Sequence, residues 1–150
     1  MGTLSEILGC ARQRAQESSL PYAGSLTPAE AATILELAPA ARLVDVRTKP
    51  ELDFVGHIPG AVHIEWAFYP EMTNNPDFTS QLRQQLDPEA LIMFVCRTGG
   101  RSHNAASAAT QAGFTNCYNV LEGFEGETDF STGQRGRING WKAAGLPWSN

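Results

Sequence analysis

Three features of the sequence predict an α/β domain in which helices cover both faces of a parallel sheet. Arg42-Leu43-Val44-Asp45-Val46-Arg47 and Leu91-Ile92-Met93-Phe94-Val95 lack Gly and Pro and have the length and composition of strands in such a sheet, the second apolar throughout as if buried on both faces. Such runs alternate with windows that carry helix start signals, of which Thr27-Pro28-Ala29-Glu30 is the clearest. Finally, Cys96-Arg97-Thr98-Gly99-Gly100-Arg101-Ser102 lies between an apolar run and an Ala-rich stretch, so strand, tight turn and helix follow one another directly. Strands alternating with helices pair in parallel through right-handed crossovers, which gives three layers.

Each element has its own signal. Leu4, Ile7, Leu8, Ala11 and Ala15 recur at three- and four-residue steps and predict an amphipathic helix over 4–15, with Glu6, Arg12 and Arg14 on its polar face. This makes residues 1–20 a helical extension packed on a single domain that occupies 21–150. Leu20-Pro21-Tyr22-Ala23-Gly24 breaks the period and is the place for a short first strand. Thr27 as N-cap, Pro28 in the first turn and Glu30 as capping-box acid predict a helix over 28–37, with Pro39 ending it. Strands are expected at 42–47 and at 61–65, with one or two helical turns over 50–55 and the turn Gly56-His57-Ile58-Pro59-Gly60 between them. Pro76-Asp77 opens a helix that runs through Leu82 and Leu86. The strand ending at Val95 delivers Cys96, an Ala-rich helix over 102–112 stops at Gly113, and Cys117-Tyr118-Asn119-Val120-Leu121 is a further strand. No internal repeat or low-complexity tract interrupts this order.

The turn at Cys96 carries the chemistry. Gly99 and Gly100 permit the positive φ values with which successive N–H groups converge into an anion-binding nest. A helix N-terminus contributes partial positive charge, and Arg97 and Arg101 add two full charges, all of which favour thiolate over thiol at Cys96. The expectation is therefore an exposed, nucleophilic sulfur in a cup of amides. A buried packing cysteine is the competing reading, but packing has no need of two flanking arginines. In an open α/β sheet ligands bind beyond the carboxyl ends of the strands, which puts Cys96, Asp45 and Arg47 on one rim. Asp45 and Arg47 are expected to hold neighbouring loops rather than touch substrate.

Composition excludes several classes. A net charge of −5 over 150 residues argues against nucleic acid or an anionic membrane as partner. No run is long enough to span a membrane, and Glu6, Arg12, Arg14 and Glu17 interrupt the place of a signal peptide, so a cytoplasmic location is expected. The three cysteines, Cys10, Cys96 and Cys117, form no CxxC pair and fit a reducing compartment. Cys117 is expected as a small buried hydrophobe and Cys10 on a helix surface. With the three histidines they show no zinc spacing, and no metal or other cofactor is expected. His57, His63 and His103 are not needed as a base, because an activated thiolate requires none.

These residues resemble the rhodanese-like (sulfurtransferase) domain family from Thr27 to Trp148. Asp45-Val46-Arg47 with Gly56-His57-Ile58-Pro59-Gly60-Ala61 is similar to its N-terminal signature, and Cys96 to Ser102 resembles its active-site loop. Asn119-Val120-Leu121-Glu122-Gly123-Phe124 with Trp141 and Gly145-Leu146-Pro147-Trp148 resembles its C-terminal signature. The resemblance implies a five-stranded parallel sheet and a cysteine that cycles through a persulfide. Sulfur would come from a small-molecule donor such as thiosulfate and go to cyanide, a cellular thiol or a protein acceptor. Cys96 is then the catalytic residue. Arg97, Thr98, Gly99, Gly100, Arg101 and Ser102 bind substrate, with Arg101 equally open to a structural ion pair and Ser102 to helix capping. A persulfide carrier or regulatory module is the alternative. A cysteine phosphatase is disfavoured because it places five residues between Cys and Arg, whereas four separate Cys96 from Arg101. The sequence departs from the family in the spacing of Glu51 and Phe54, and in a longer segment at 125–139. That segment reads as a solvated loop or a lid in which Arg135 and Arg137 add positive charge.

Overall fold

The computed structural model describes residues 3–135 and 138–149. Five strands form one parallel sheet: β1 (Gly24–Leu26), β2 (Arg42–Asp45), β3 (Val62–His63), β6 (Ile92–Val95) and β7 (Cys117–Val120), in the order β1-β7-β6-β2-β3. A separate antiparallel hairpin joins β4 (Ala67–Phe68) to β5 (Thr73–Asn74). Helices α1 (Leu4–Glu17), α2 (Pro28–Leu37), α3 (Lys49–Phe54), α4 (Phe78–Gln85) and α5 (Gly100–Gln111) complete the fold.

Alternation along the strands builds two cores. Val44 of β2 and Ile92 and Phe94 of β6 face Phe78 and Leu82 of α4 and Ala105, Ala106 and Ala109 of α5. Leu43, Met93, Val95, Tyr118 and Val120 face Ile7 and Ala11 of α1 and Ala31 and Ile34 of α2. A strand with a core on each side must be apolar at every position, which is why the run at 91–95 carries no polar residue. The small Ala stripe of α5 lets that helix approach β6 closely and fixes where its first turn lies relative to Cys96.

The capping box of α2 forms as the sequence predicts, and α1 has one that was not foreseen. Glu6 of α1 and Glu30 of α2 each accept the N–H of the threonine that caps their helix. Helix α1 is also tied to its neighbour: Arg14 donates to both Glu30 carboxylate oxygens and to the Ser25 carbonyl. Several boundaries differ from expectation. The first strand lies at Gly24–Leu26, starting on the last residue of the segment 20–24, where the Gly24 backbone comes up against Ala11 and the Tyr118 ring. The second strand stops at Asp45 and the third shrinks to Val62–His63, since the chain turns there to form the rim. Helix α5 starts at Gly100 rather than 102, with Gly99 as N-cap at a φ of +112°. The β4–β5 hairpin, with a cis Tyr69–Pro70 peptide, was not foreseen. Among the described residues no helix is long and apolar enough to cross a membrane.

Candidate active site

Cys96 follows the last residue of β6, at the carboxyl edge of the sheet and next to the start of α5. The Gly99 N–H donates to Cys96 Sγ at 3.1 Å, and Ser102 Oγ lies 3.3 Å from the same sulfur. Gly99 has no side chain to cap the helix, and the amides of Gly100, Arg101 and Ser102 begin α5 without intrahelical acceptors. The positive end of a twelve-residue helix therefore opens beside the thiol. Of the amides expected to converge on the sulfur, that of Gly99 is the one hydrogen-bonded to it.

The expected exposure of the thiol is corrected: Cys96 is only 1% accessible. The reason lies downstream of β7. The amides of Phe124 and Glu125 donate to the carbonyls of Cys96 and Arg97 at 2.8 and 2.9 Å, and Gly126 adds a second bond to Arg97. This strap closes the back of the loop. It needs Gly123, at a φ of +66°, because a Cβ there would come within 2.6 Å of both carbonyl oxygens.

Ser102 is fully buried and its hydroxyl also meets Asn119 Oδ1 at 2.6 Å, while Asn119 Nδ2 donates to the Gly99 carbonyl. Asn119 of β7 thus holds both the side chain beside the sulfur and the peptide that precedes the helix. Its position was visible in the motif around Asn119 but its role was not. Thr98 and Gly100 lie exposed at the crest of the loop.

The two loop arginines behave differently. Arg101 donates through both terminal nitrogens to Glu51 of α3, at 2.7 and 2.8 Å. Glu51 also accepts the N–H and the hydroxyl of Thr48 at the start of α3. Burial raises the Glu51 carboxyl, but the Arg101 pair and the Thr48 bonds outweigh it and hold the group down at about 2. Arg101 is thus ion-paired with an acid fifty positions away in the chain, Glu51. Arg97 is the more open of the two, its side chain 47% accessible, with Nε 3.4 Å from Glu125.

Asp45 and Arg47 form a fully buried pair below the rim. Arg47 donates to both Asp45 oxygens and to the Gly56 carbonyl, and its guanidinium lies 4.1 Å from the centre of the Phe124 ring. They join the turn at 56–60 to the strap behind the cysteine. His63 Nε2 meets the Arg47 carbonyl, and His103 Nδ1 shares a 2.8 Å hydrogen bond with Tyr22 Oη. In the segment 125–139, Arg135 donates to the Gly126 carbonyl within its own loop. Arg137 lies outside the described residues.

The family model for the rhodanese-like domain matches residues 27–128. The crystal structure of Rv0390 from M. tuberculosis superposes with a TM-score of 0.78 at 44% identity, covering 85% of this chain and 98% of that one. Thiosulfate sulfurtransferase 16, chloroplastic, of Arabidopsis thaliana is 33% identical over 112 residues, 73% of this chain and 89% of its own. Uncharacterized protein RC0915 of Rickettsia conorii is 36% identical over 111 residues, 71% of this chain and 80% of its own.

Proposed function

The chain belongs to the rhodanese-like domain family, and on that premise we propose that it is a sulfurtransferase that carries sulfane sulfur on Cys96 as a persulfide. The observation that carries this reading is the Gly99 N–H directed at Cys96 Sγ at 3.1 Å, with the unpaired amides of the first turn of α5 beside it. Such donors stabilise negative charge on sulfur, in the thiolate before transfer and on the outer sulfur afterwards. The separation of Cys96 from Arg101 by four residues supports a cup for one sulfur atom rather than for a tetrahedral phosphate.

In the first step the Cys96 thiolate attacks the outer sulfur of the donor. A new S–S bond forms on Cys96 while the donor's own S–S bond breaks, and the leaving group departs with that electron pair, as sulfite when thiosulfate is the donor. In the second step cyanide or an acceptor thiolate attacks the outer sulfur and Cys96 leaves as thiolate. Arg97 is the loop cation open to the donor. Asn119 positions Ser102, and Arg101 with Glu51 ties the loop to α3. Three free cysteines suit a reducing compartment such as the cytoplasm.

The test is thiosulfate:cyanide transfer by the wild type and by Cys96→Ala, with mass spectrometry of the protein after donor alone. Expected are a gain of about 32 Da on the Cys96 peptide and loss of transfer in the variant by at least about a thousandfold. Persulfide that forms but passes to cyanide very slowly identifies a carrier. Turnover unchanged in Cys96→Ala refutes the assignment.

A further inference from the structure

A cavity of about 380 Å3 opens between the end of α1, the edge strand β1 and the first turn of α5. His103 lines it, two positions beyond Arg101, so the two side chains leave α5 on opposite sides. The apolar surface comes from Leu20, Tyr22 and Leu121. Tyr22 and His103 meet edge to face, their centroids 5.3 Å apart, and their hydrogen bond ties the segment after α1 to α5. The guanidinium of Arg14, also in the lining, is neutralised by Glu30 through both terminal nitrogens. Ser25 Oγ is buried and makes no hydrogen bond, acting on the Tyr22 hydroxyl only at longer range.

The wall nearest the cysteine is made of Gly99 and Asn119. The Gly99 N–H donates to Cys96 Sγ, and Asn119 holds both the Gly99 carbonyl and the Ser102 hydroxyl. Cys96 is almost inaccessible, so a reagent reaches its sulfur only when this loop shifts. Gly99 has room to move: a side-chain carbon added there would stand 3.7 Å from the nearest atom outside its chain neighbours, the Glu122 amide nitrogen. An occupant of the cavity packs on the same peptide and takes that freedom away. Flat apolar surface, cancelled charge and a buried hydroxyl without a partner suit a neutral ring with a polar group, whereas an ion would lose hydration there without meeting a free counter-charge. We propose that the cavity binds a neutral aromatic molecule of one or two rings carrying a hydrogen-bonding group, and that its occupation slows reaction at Cys96. Such control acts on access to the sulfur, whichever reaction Cys96 performs.

Indole, neutral and with one N–H, is the probe. Calorimetric titration of the full chain should give a Kd below about 1 mM. Indole-3-acetate, which adds a carboxylate, should bind at least about tenfold more weakly. Iodoacetamide at pH 8 then reads the cysteines by peptide mapping: saturating indole should slow alkylation of Cys96 at least about fivefold and leave exposed Cys10 unchanged. Leu20→Trp fills the cavity with a side chain, so it should weaken indole at least about tenfold and slow Cys96 by itself. Ser25→Ala keeps the shape and should weaken indole about threefold. Absence of binding at about 1 mM overturns the site, as does an affinity that neither variant changes. Indole that binds yet leaves the ratio of Cys96 to Cys10 rates unchanged overturns the control of Cys96. No sulfur donor enters these measurements, so each such failure leaves the sulfur-transfer reading standing.

Discussion

Cys96 and Cys117 are equally inaccessible, 1% each, and belong to one apolar cluster on neighbouring parallel strands. They occupy opposite ends of the sheet. Cys117 opens β7, where its neighbours are apolar side chains and its thiol has the Phe114 carbonyl at 3.9 Å as an acceptor. Burial there pushes the thiol up to about 11. Cys96 follows the end of β6, where α5 begins, and its sulfur accepts from the Gly99 N–H. One sulfur donates and the other accepts. The direction of the strands, and not depth, decides which sulfur meets a helix N-terminus, because helix N-termini gather at the carboxyl edge of a parallel sheet.

The most direct way to break this contrast is alkylation. Iodoacetamide at pH 8 should modify Cys96 at least about a hundredfold faster than Cys117, with exposed Cys10 scored separately by peptide mapping; equal rates at the two buried thiols would abolish the distinction. Alkaline stability sharpens it from the other side. The Cys117 thiol ionises at about 11 in the folded protein against a reference of 9.0. The unfolded chain therefore releases this proton first. Stability is fully present below pH 9 and is lost as pH rises toward 11, by roughly 2–3 kcal/mol. Denaturant titrations at both ends of that window should show a loss larger by that amount in wild type than in Cys117→Ala, in which the buried Tyr22 and Tyr118, also raised by burial, still contribute. A smaller effect is expected at Gly99. Alanine at a φ of +112° costs about 1–2 kcal/mol and turns the amide off the sulfur, so Gly99→Ala should load persulfide about tenfold more slowly. Unchanged loading would show that this N–H does not hold the sulfur.

Local features were legible in the sequence. The strand, turn and helix around Cys96 lie within twenty-odd consecutive residues, and their signals of apolar run, glycine pair and Ala-rich window do not depend on the rest of the chain. The same holds for α2, whose start is specified by Thr27, Pro28 and Glu30. What depended on distant contacts was not legible. Arg101 finds Glu51 across the rim, and Asn119 finds Ser102 across two elements; either partner alone is only a polar residue in a motif. The burial of Cys96 follows from the strap at 123–126; the motif at 119–124 marked part of that segment but not its hydrogen bonds to the loop. The β4–β5 hairpin has strands of two residues each, too short for an alternating pattern.

That strap has a consequence for how the family's chemistry can diversify. It grips the carbonyls of Cys96 and Arg97 from behind, so an extra residue inserted ahead of Arg101 has no slack to borrow on that side and must be absorbed at the crest. A wider loop would therefore meet Gly123, which packs against the same two carbonyls far along the chain.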